Sequence, residues 1–130
     1  MSNNITIIPL SWLKPHKNID TTHLEKLYNH CCATGIQSIP LIIVDKATYI
    51  IIDGHHRFHL YKKLGMTEVA VLYVENYIEN KNIIVNSQIK ITKKDVINMG
   101  LSGECYPYKT TQHLVRINDV YYPICKLYDL

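Results

Sequence analysis

Long apolar runs are missing from this 130-residue chain, and none approaches the roughly 20 residues that a membrane-spanning helix needs. The N-terminal MSNNITIIPL lacks a basic stretch followed by a long apolar one, so no secretory signal is expected. A cytoplasmic protein without a membrane partner is therefore expected. Cysteine is sparse: Cys31, Cys32, Cys105 and Cys125 show no CxxC spacing, which argues against a disulfide framework and a paired-thiol zinc clamp. Free thiols are expected instead. Charge of one sign is also short. A net charge of +3 is too small and too scattered for a nucleic-acid stripe, although it suits a small anionic ligand. Glycine and proline number five each, and neither they nor any repeat marks a linker, so residues 1–130 are read as one domain.

Phenylalanine and tryptophan occur once each against ten tyrosines. Such rings sit half-buried with the hydroxyl wet, and they would allow a homodimer face without locating one. Arginine is scarcer than lysine: Arg57 and Arg116 stand among 14 Lys and Arg in all. An arginine inside the turn Asp53-Gly54-His55-His56-Arg57 therefore stands out.

The apolar residues fall in short Ile-, Val- and Leu-rich runs, which favour strands. A strand is expected over Ile5–Leu10, closed by Pro9 and Ser11. A helix follows, with N-cap oxygens from Asp20, Thr21 and Thr22, apolar positions Leu24, Leu27, Tyr28 and Cys31, and Gly35 as its stop. Leu41–Val44 and Tyr49–Ile52 read as strands covered on both faces, joined by a turn over Asp45–Thr48. His55–Leu64 is a helix ended by Gly65, and Glu68–Val74 another buried strand. Ile83–Ile91 suggests one or two edge strands. Lys93–Met99 suggests a short helix capped by Thr92 and ended by Gly100, with a loop from Leu101 through Pro107. Leu114–Ile117 and Tyr121–Leu127 close the chain as extended segments. The sum is one compact α+β domain with a small mixed sheet and flanking helices.

A strand that ends in Asp-Gly and opens straight into a helix gathers free backbone N–H groups at one point. The helix dipole adds about half a positive charge there, so the turn is a candidate anion site. Gly54 permits the tight turn, Arg57 offers a planar fork for phosphate, and His55 and His56 add two further donors. Asp53 is placed to accept a hydroxyl proton or to hold Mg²⁺. The bland alternative is a surface Asp-Gly turn. His55 and His59, spaced i, i+4, raise a zinc site as another alternative, but no third ligand follows at suitable spacing.

The stretch Tyr49–Val74 resembles the ParB/sulfiredoxin-like fold, in which a Gly-x-x-Arg turn opening a helix binds nucleotide phosphates. Its DGHHR form resembles the branch of free L-serine kinases that make O-phospho-L-serine. Two more segments resemble that branch: Leu13-Lys14-Pro15-His16, and Ser102–His113 with its Lys109-Thr110-Thr111-Gln112-His113 end. The resemblance implies a small-molecule kinase using ATP or ADP with Mg²⁺, and L-serine or a similar hydroxy amino acid as acceptor. It implies that Gly54, His55, His56 and Arg57 contact the nucleotide phosphates, joined by Lys109, Thr110, Thr111 and His113. Asp53, His55 and Lys17 are the candidate catalytic residues, with Asp53 at the metal. Two positions depart from the branch. Lys17 stands where the kinases carry the Glu that acts as base, and Gln112 stands where they carry an Arg. The alternative is thus a nucleotide-binding regulator that keeps the cradle without turnover. A partition-type DNA binder would need a helix-turn-helix domain after this fold, and a sulfiredoxin-type reductase a cysteine in the phosphate turn. A nuclease would need a metal-ligand cluster. None of these features is expected here.

Overall fold

The structure is a computed structural model that describes residues 5–36 and 39–125. Among the described residues, seven strands and three α-helices follow in the order β1 (Ile5–Pro9), α1 (Thr21–Thr34), β2 (Ile42–Asp45), β3 (Ile51–Asp53), α2 (His55–Lys63), β4 (Glu68–Val74), β5 (Ile83–Asn86), α3 (Lys93–Ser102), β6 (Gln112–Ile117) and β7 (Val120–Pro123). They form a four-stranded sheet ordered β1-β4-β2-β3 and a three-stranded sheet ordered β5-β6-β7. In the first, β2 runs parallel to β4 while β1–β4 and β2–β3 are antiparallel. The second is antiparallel throughout. This is the expected α+β architecture, with the small mixed sheet joined by a second antiparallel one.

The continuous apolar runs have a direct cause. Ile42, Ile43 and Val44 are fully buried because the central sheet is covered on both faces. Ile42, Val44, Ile51 and Val71 pack with Leu60 and Phe58 of α2 and with Cys31 of α1. Ile43, Ile50, Ile52 and Leu72 pack instead against Val96 of α3 and Val115 of β6. Alternate side chains along one strand thus feed two cores.

Local signals account for most boundaries. The Asp20 carboxylate accepts from the Thr22 N–H and caps α1, and Gly35 receives its C-terminus. Asp45 accepts from the Thr48 hydroxyl at 2.6 Å, holding the turn into β3. Thr92 and Asp95 form a reciprocal capping box at α3. Several expected bounds differ. The helix α3 runs through Gly100 and Leu101 to Ser102, and Gly103, at φ +81°, is its C-cap. Gly100 serves packing: an added Cβ would lie 2.8 Å from Ile50 side-chain atoms. Tyr49 adopts a left-handed φ of 62°, so β3 begins at Ile51 and Ile50 makes only an isolated bridge to Lys14. In the segment Ile83–Ile91 only β5 is a strand, and the last extended segment is β7, Val120–Pro123. Residues 126 and 127 of that expected segment lie outside the described residues.

Candidate functional site

The segment between β1 and α1 brings the distant parts of the site together. The Lys14 N–H donates to Tyr49 O at 3.0 Å and the Ile51 N–H to Lys14 O at 2.9 Å, while the Tyr106 N–H donates to His16 O and the Asn18 N–H to Tyr106 O, both at 2.8 Å. Residues 14–18 therefore lie between β3 and the loop that follows α3. Lys17, the Asp53–Arg57 turn, Tyr108, Lys109 and residues 111–113 meet around one cavity of about 710 Å³, within the usual size of a small-molecule site.

At the mouth of α2, Gly54 is the N-cap, with φ 112° and ψ 28°. Only glycine takes this left-handed geometry without strain. The turn is also tight: a Cβ on Gly54 would lie 3.2 Å from Arg57 Cζ and Nε and 3.3 Å from Ile42 Cα. The Arg57 guanidinium is folded over this glycine. Its Nη2 donates to Asp53 Oδ2 at 2.8 Å and its Nη1 to the Leu41 carbonyl. The arginine fork is thus held at the helix N-terminus by Asp53 of β3 and by Leu41, the residue before β2. Lys17 also lines the cavity, and its Nζ donates to the Thr111 carbonyl at 2.6 Å. Burial lowers the Lys17 pKa, and the Asp53 carboxylate opposes that shift.

The histidines differ from the expected picture of chargeable donors. His55 is 2% exposed, and its Nε2 accepts the His16 backbone N–H at 3.1 Å. This bond needs the neutral ring with its proton on Nδ1. Burial, and then the neighbouring His16, hold the His55 pKa well below the ordinary value. His56 Nε2 accepts from the Asp20 N–H at 3.0 Å, and burial, then stacked His23, lower its pKa to about 4. His16 is fully buried. Its Nδ1 lies 2.8 Å from Ile51 O, to which it must donate, so Nε2 accepts from the Thr111 hydroxyl at 2.9 Å. Burial lowers the His16 pKa to about 4. His113 Nε2 shares a 2.6 Å bond with the Tyr77 hydroxyl, and burial, then His16, push its pKa well down. At neutral pH these four rings carry no charge. The fixed charges lining the cavity are Lys17, Arg57 and Lys109 against the single carboxylate Asp53.

Two threonines of the C-terminal cluster are committed to the protein itself. The Thr111 hydroxyl serves His16, and the Thr110 hydroxyl donates to Pro107 O. Thr110 lines a neighbouring cavity, whereas Lys109, Thr111 and His113 line the main one. Sequence reasoning passed over His16 as a site residue, although it orients both His55 and Thr111. It also passed over Tyr108, whose ring meets His56 edge-on at 5.6 Å. A lone histidine after Pro15 and a tyrosine among ten give no local signal of such roles.

The donor set offers Mg²⁺ one carboxylate, Asp53. Among the described residues, no three His, Cys, Asp or Glu side chains converge as metal ligands. A magnesium site at phosphates uses one or two carboxylates, and Asp53 is already paired with Arg57. The thiols are free, as expected, with Cys31 buried and Cys32 exposed. No helix among the described residues is long and apolar enough to cross a membrane.

The model of the ParB N-terminal domain family matches residues 1–89. The chain belongs to the ParB N-terminal domain family. Within reach of this family, the chain is 30% identical over 79 residues to an ATP-dependent L-serine kinase of Staphylothermus marinus, a match covering 57% of this chain. The chain spans only 31% of that relative's length. A solved free serine kinase in complex with AMP superposes with a TM-score of 0.74 at 15% identity, covering 92% of this chain and 91% of the other. C-terminally truncated SbnI from Staphylococcus aureus superposes with a TM-score of 0.69 at 14% identity, covering 96% and 89%. At these identities the likeness shows the fold, and it extends past the family match into β6 and β7.

Proposed function

We propose that this protein is a small-molecule kinase that takes ATP or ADP as phosphoryl donor and free L-serine as acceptor, giving O-phospho-L-serine. The observation that carries the reading is the convergence of the α2 N-terminus with Arg57, Lys17 and Lys109 on one cavity whose histidines are uncharged. Free N–H groups, a helix dipole and three cations form a binding site for a polyphosphate. Phosphoryl transfer asks the protein chiefly for positioning and charge neutralisation, and that is what these residues supply. The choice of an adenine nucleotide and of serine follows the relatives, one named as an ATP-dependent L-serine kinase and others solved with AMP or ADP.

In this reading the backbone of Gly54–Arg57 and the Arg57 side chain hold the donor phosphates, and Lys109 reaches them from the facing loop. His55 and His113 are positioning residues, since their rings are buried and tied to His16 and Tyr77. Asp53 takes the serine hydroxyl proton as the serine oxygen bonds to phosphorus and the bond to the leaving phosphate breaks. A second reading has one specific observation in its favour. Lys17 stands where the similar kinases carry a Glu, and a protonated ammonium cannot take the serine hydroxyl proton, so the cradle would bind nucleotide without turnover.

The test is incubation of the purified protein with L-serine and either ATP or ADP, with and without Mg²⁺, and detection of O-phosphoserine by mass. Product that disappears in Arg57→Ala is the expected result. Nucleotide binding without product, lost in the same variant, would overturn the kinase and favour the regulator.

A further inference from the structure

The charges around the cavity carry a consequence for how a nucleotide is neutralised. Three fixed cations, Lys17, Arg57 and Lys109, face one carboxylate, Asp53, so the lining has a net charge of +2. That carboxylate is only partly available to recruit a metal. Its Oδ2 lies 2.8 Å from Arg57 Nη2, and the Lys17 ammonium interacts with it electrostatically. A divalent cation reaching the remaining oxygen would share the carboxylate with Arg57 and meet the positive field of Lys17. The surrounding imidazoles do not help. Among the described residues, the Nε2 lone pairs of His16, His55 and His56 are already used by Thr111 and by the backbone N–H groups of His16 and Asp20.

Lys17 itself has capacity to spare. An ammonium has three donors, and the Thr111 carbonyl at 2.6 Å takes one of them. That bond, and the pairing of residues 16–18 with Tyr106, fix the ammonium at the cavity wall, with two N–H groups left over. A lysine placed in this way supplies the point charge that a metal ion supplies elsewhere.

We propose that Lys17 is an internal cation that replaces the divalent metal in holding a nucleoside diphosphate, so that the site binds ADP without Mg²⁺. The proposal rests on the nucleotide-binding part of the reading above. It gives the lysine that stands at the kinases' Glu position a use, whether or not the protein turns over.

Calorimetric titration with ADP tests it, in excess EDTA and in excess Mg²⁺, on the full chain and on Lys17→Met and Lys17→Arg. The wild-type affinity is expected to agree within about twofold between the two conditions. Removing one charge-assisted contact should weaken binding about tenfold or more in EDTA for Lys17→Met, with part of the loss recovered by Mg²⁺ and binding retained in Lys17→Arg. A purely structural lysine would shift both conditions equally, so the ratio between them is the deciding readout. Circular dichroism of each variant separates lost binding from lost folding, and Lys17→Arg keeps the test open if Lys17→Met unfolds. Wild-type binding that vanishes in EDTA and returns with Mg²⁺ would overturn the proposal while sparing the nucleotide site. Absence of ADP binding in both conditions would sink the nucleotide reading and the proposal with it.

Discussion

A methyl group at Gly54 would press on Arg57 Cζ at 3.2 Å and on the Ile42 backbone at 3.3 Å, at a residue whose φ is +112°. Gly54→Ala therefore combines backbone strain of about 1–3 kcal/mol with displacement of the guanidinium from Asp53. The expected outcome is a lower urea midpoint together with loss of ADP binding, whereas an unchanged affinity would mean that Arg57 does not need this seat. The buried histidines set a second prediction. Their folded-state pKa values are depressed: His16 to about 4, and His55 and His113 well below the ordinary value. The unfolded chain therefore takes up more protons than the native one once pH drops below about 6.5. Stability is full above that pH and is lost as pH falls toward 4. His16 alone contributes a slope of about 1 kcal/mol per pH unit near pH 5, and His55 and His113 act in the same direction. Urea unfolding at pH 7 and pH 5 checks this, and equal midpoints would contradict the buried neutral cluster. At this scale the sequence was only partly legible. The turn Asp53–Arg57 is contiguous and carries its chemistry in its spacing. His16 and Tyr108 acquire their places only through contacts with residues far along the chain.

Among the elements, α1, α2 and β4 were readable because each carries its own punctuation. Asp20 and Gly35 bound α1, Gly54 opens α2, and Glu68–Val74 is a strand as its composition suggests. The helix α3 was read too short because a glycine near a helix end looks like a stop. Gly100 has no left-handed φ and is buried against Ile50, so tertiary contact decided its identity. Gly100→Ala tests this. Helix propensity alone would make alanine stabilising by about 1 kcal/mol, but a Cβ 2.8 Å from Ile50 side-chain atoms overpacks the core by about 1–3 kcal/mol. The net expectation is destabilisation in urea unfolding, and Ile50→Val in the same chain should restore part of it. A stabilised Gly100→Ala would contradict the packing role. The pairing of β5 with β6 and of β6 with β7 was not legible, since neither short segment signals its partner's register.

Across the whole molecule, the site exists because segments around residues 16, 55 and 111 are stitched together by long-range bonds: His16 to His55, His16 to Thr111, and Lys17 to Thr111. Three matching segments in the right order suggested this convergence, but periodicity and composition held no trace of it. The family match ends at residue 89, whereas Lys109, Thr111 and His113 lie beyond it, so both portions of the chain are needed to enclose the cavity. The most direct measurement of the central claim is therefore an ADP titration of the isotope-labelled protein followed by amide nuclear magnetic resonance. A phosphate held at the mouth of α2 should give the largest shifts at the Gly54–Arg57 amides and at Lys109–His113, and Arg57→Ala should abolish both sets. Shifts confined to other surfaces, with Gly54–Arg57 unmoved, would contradict a nucleotide site at this turn.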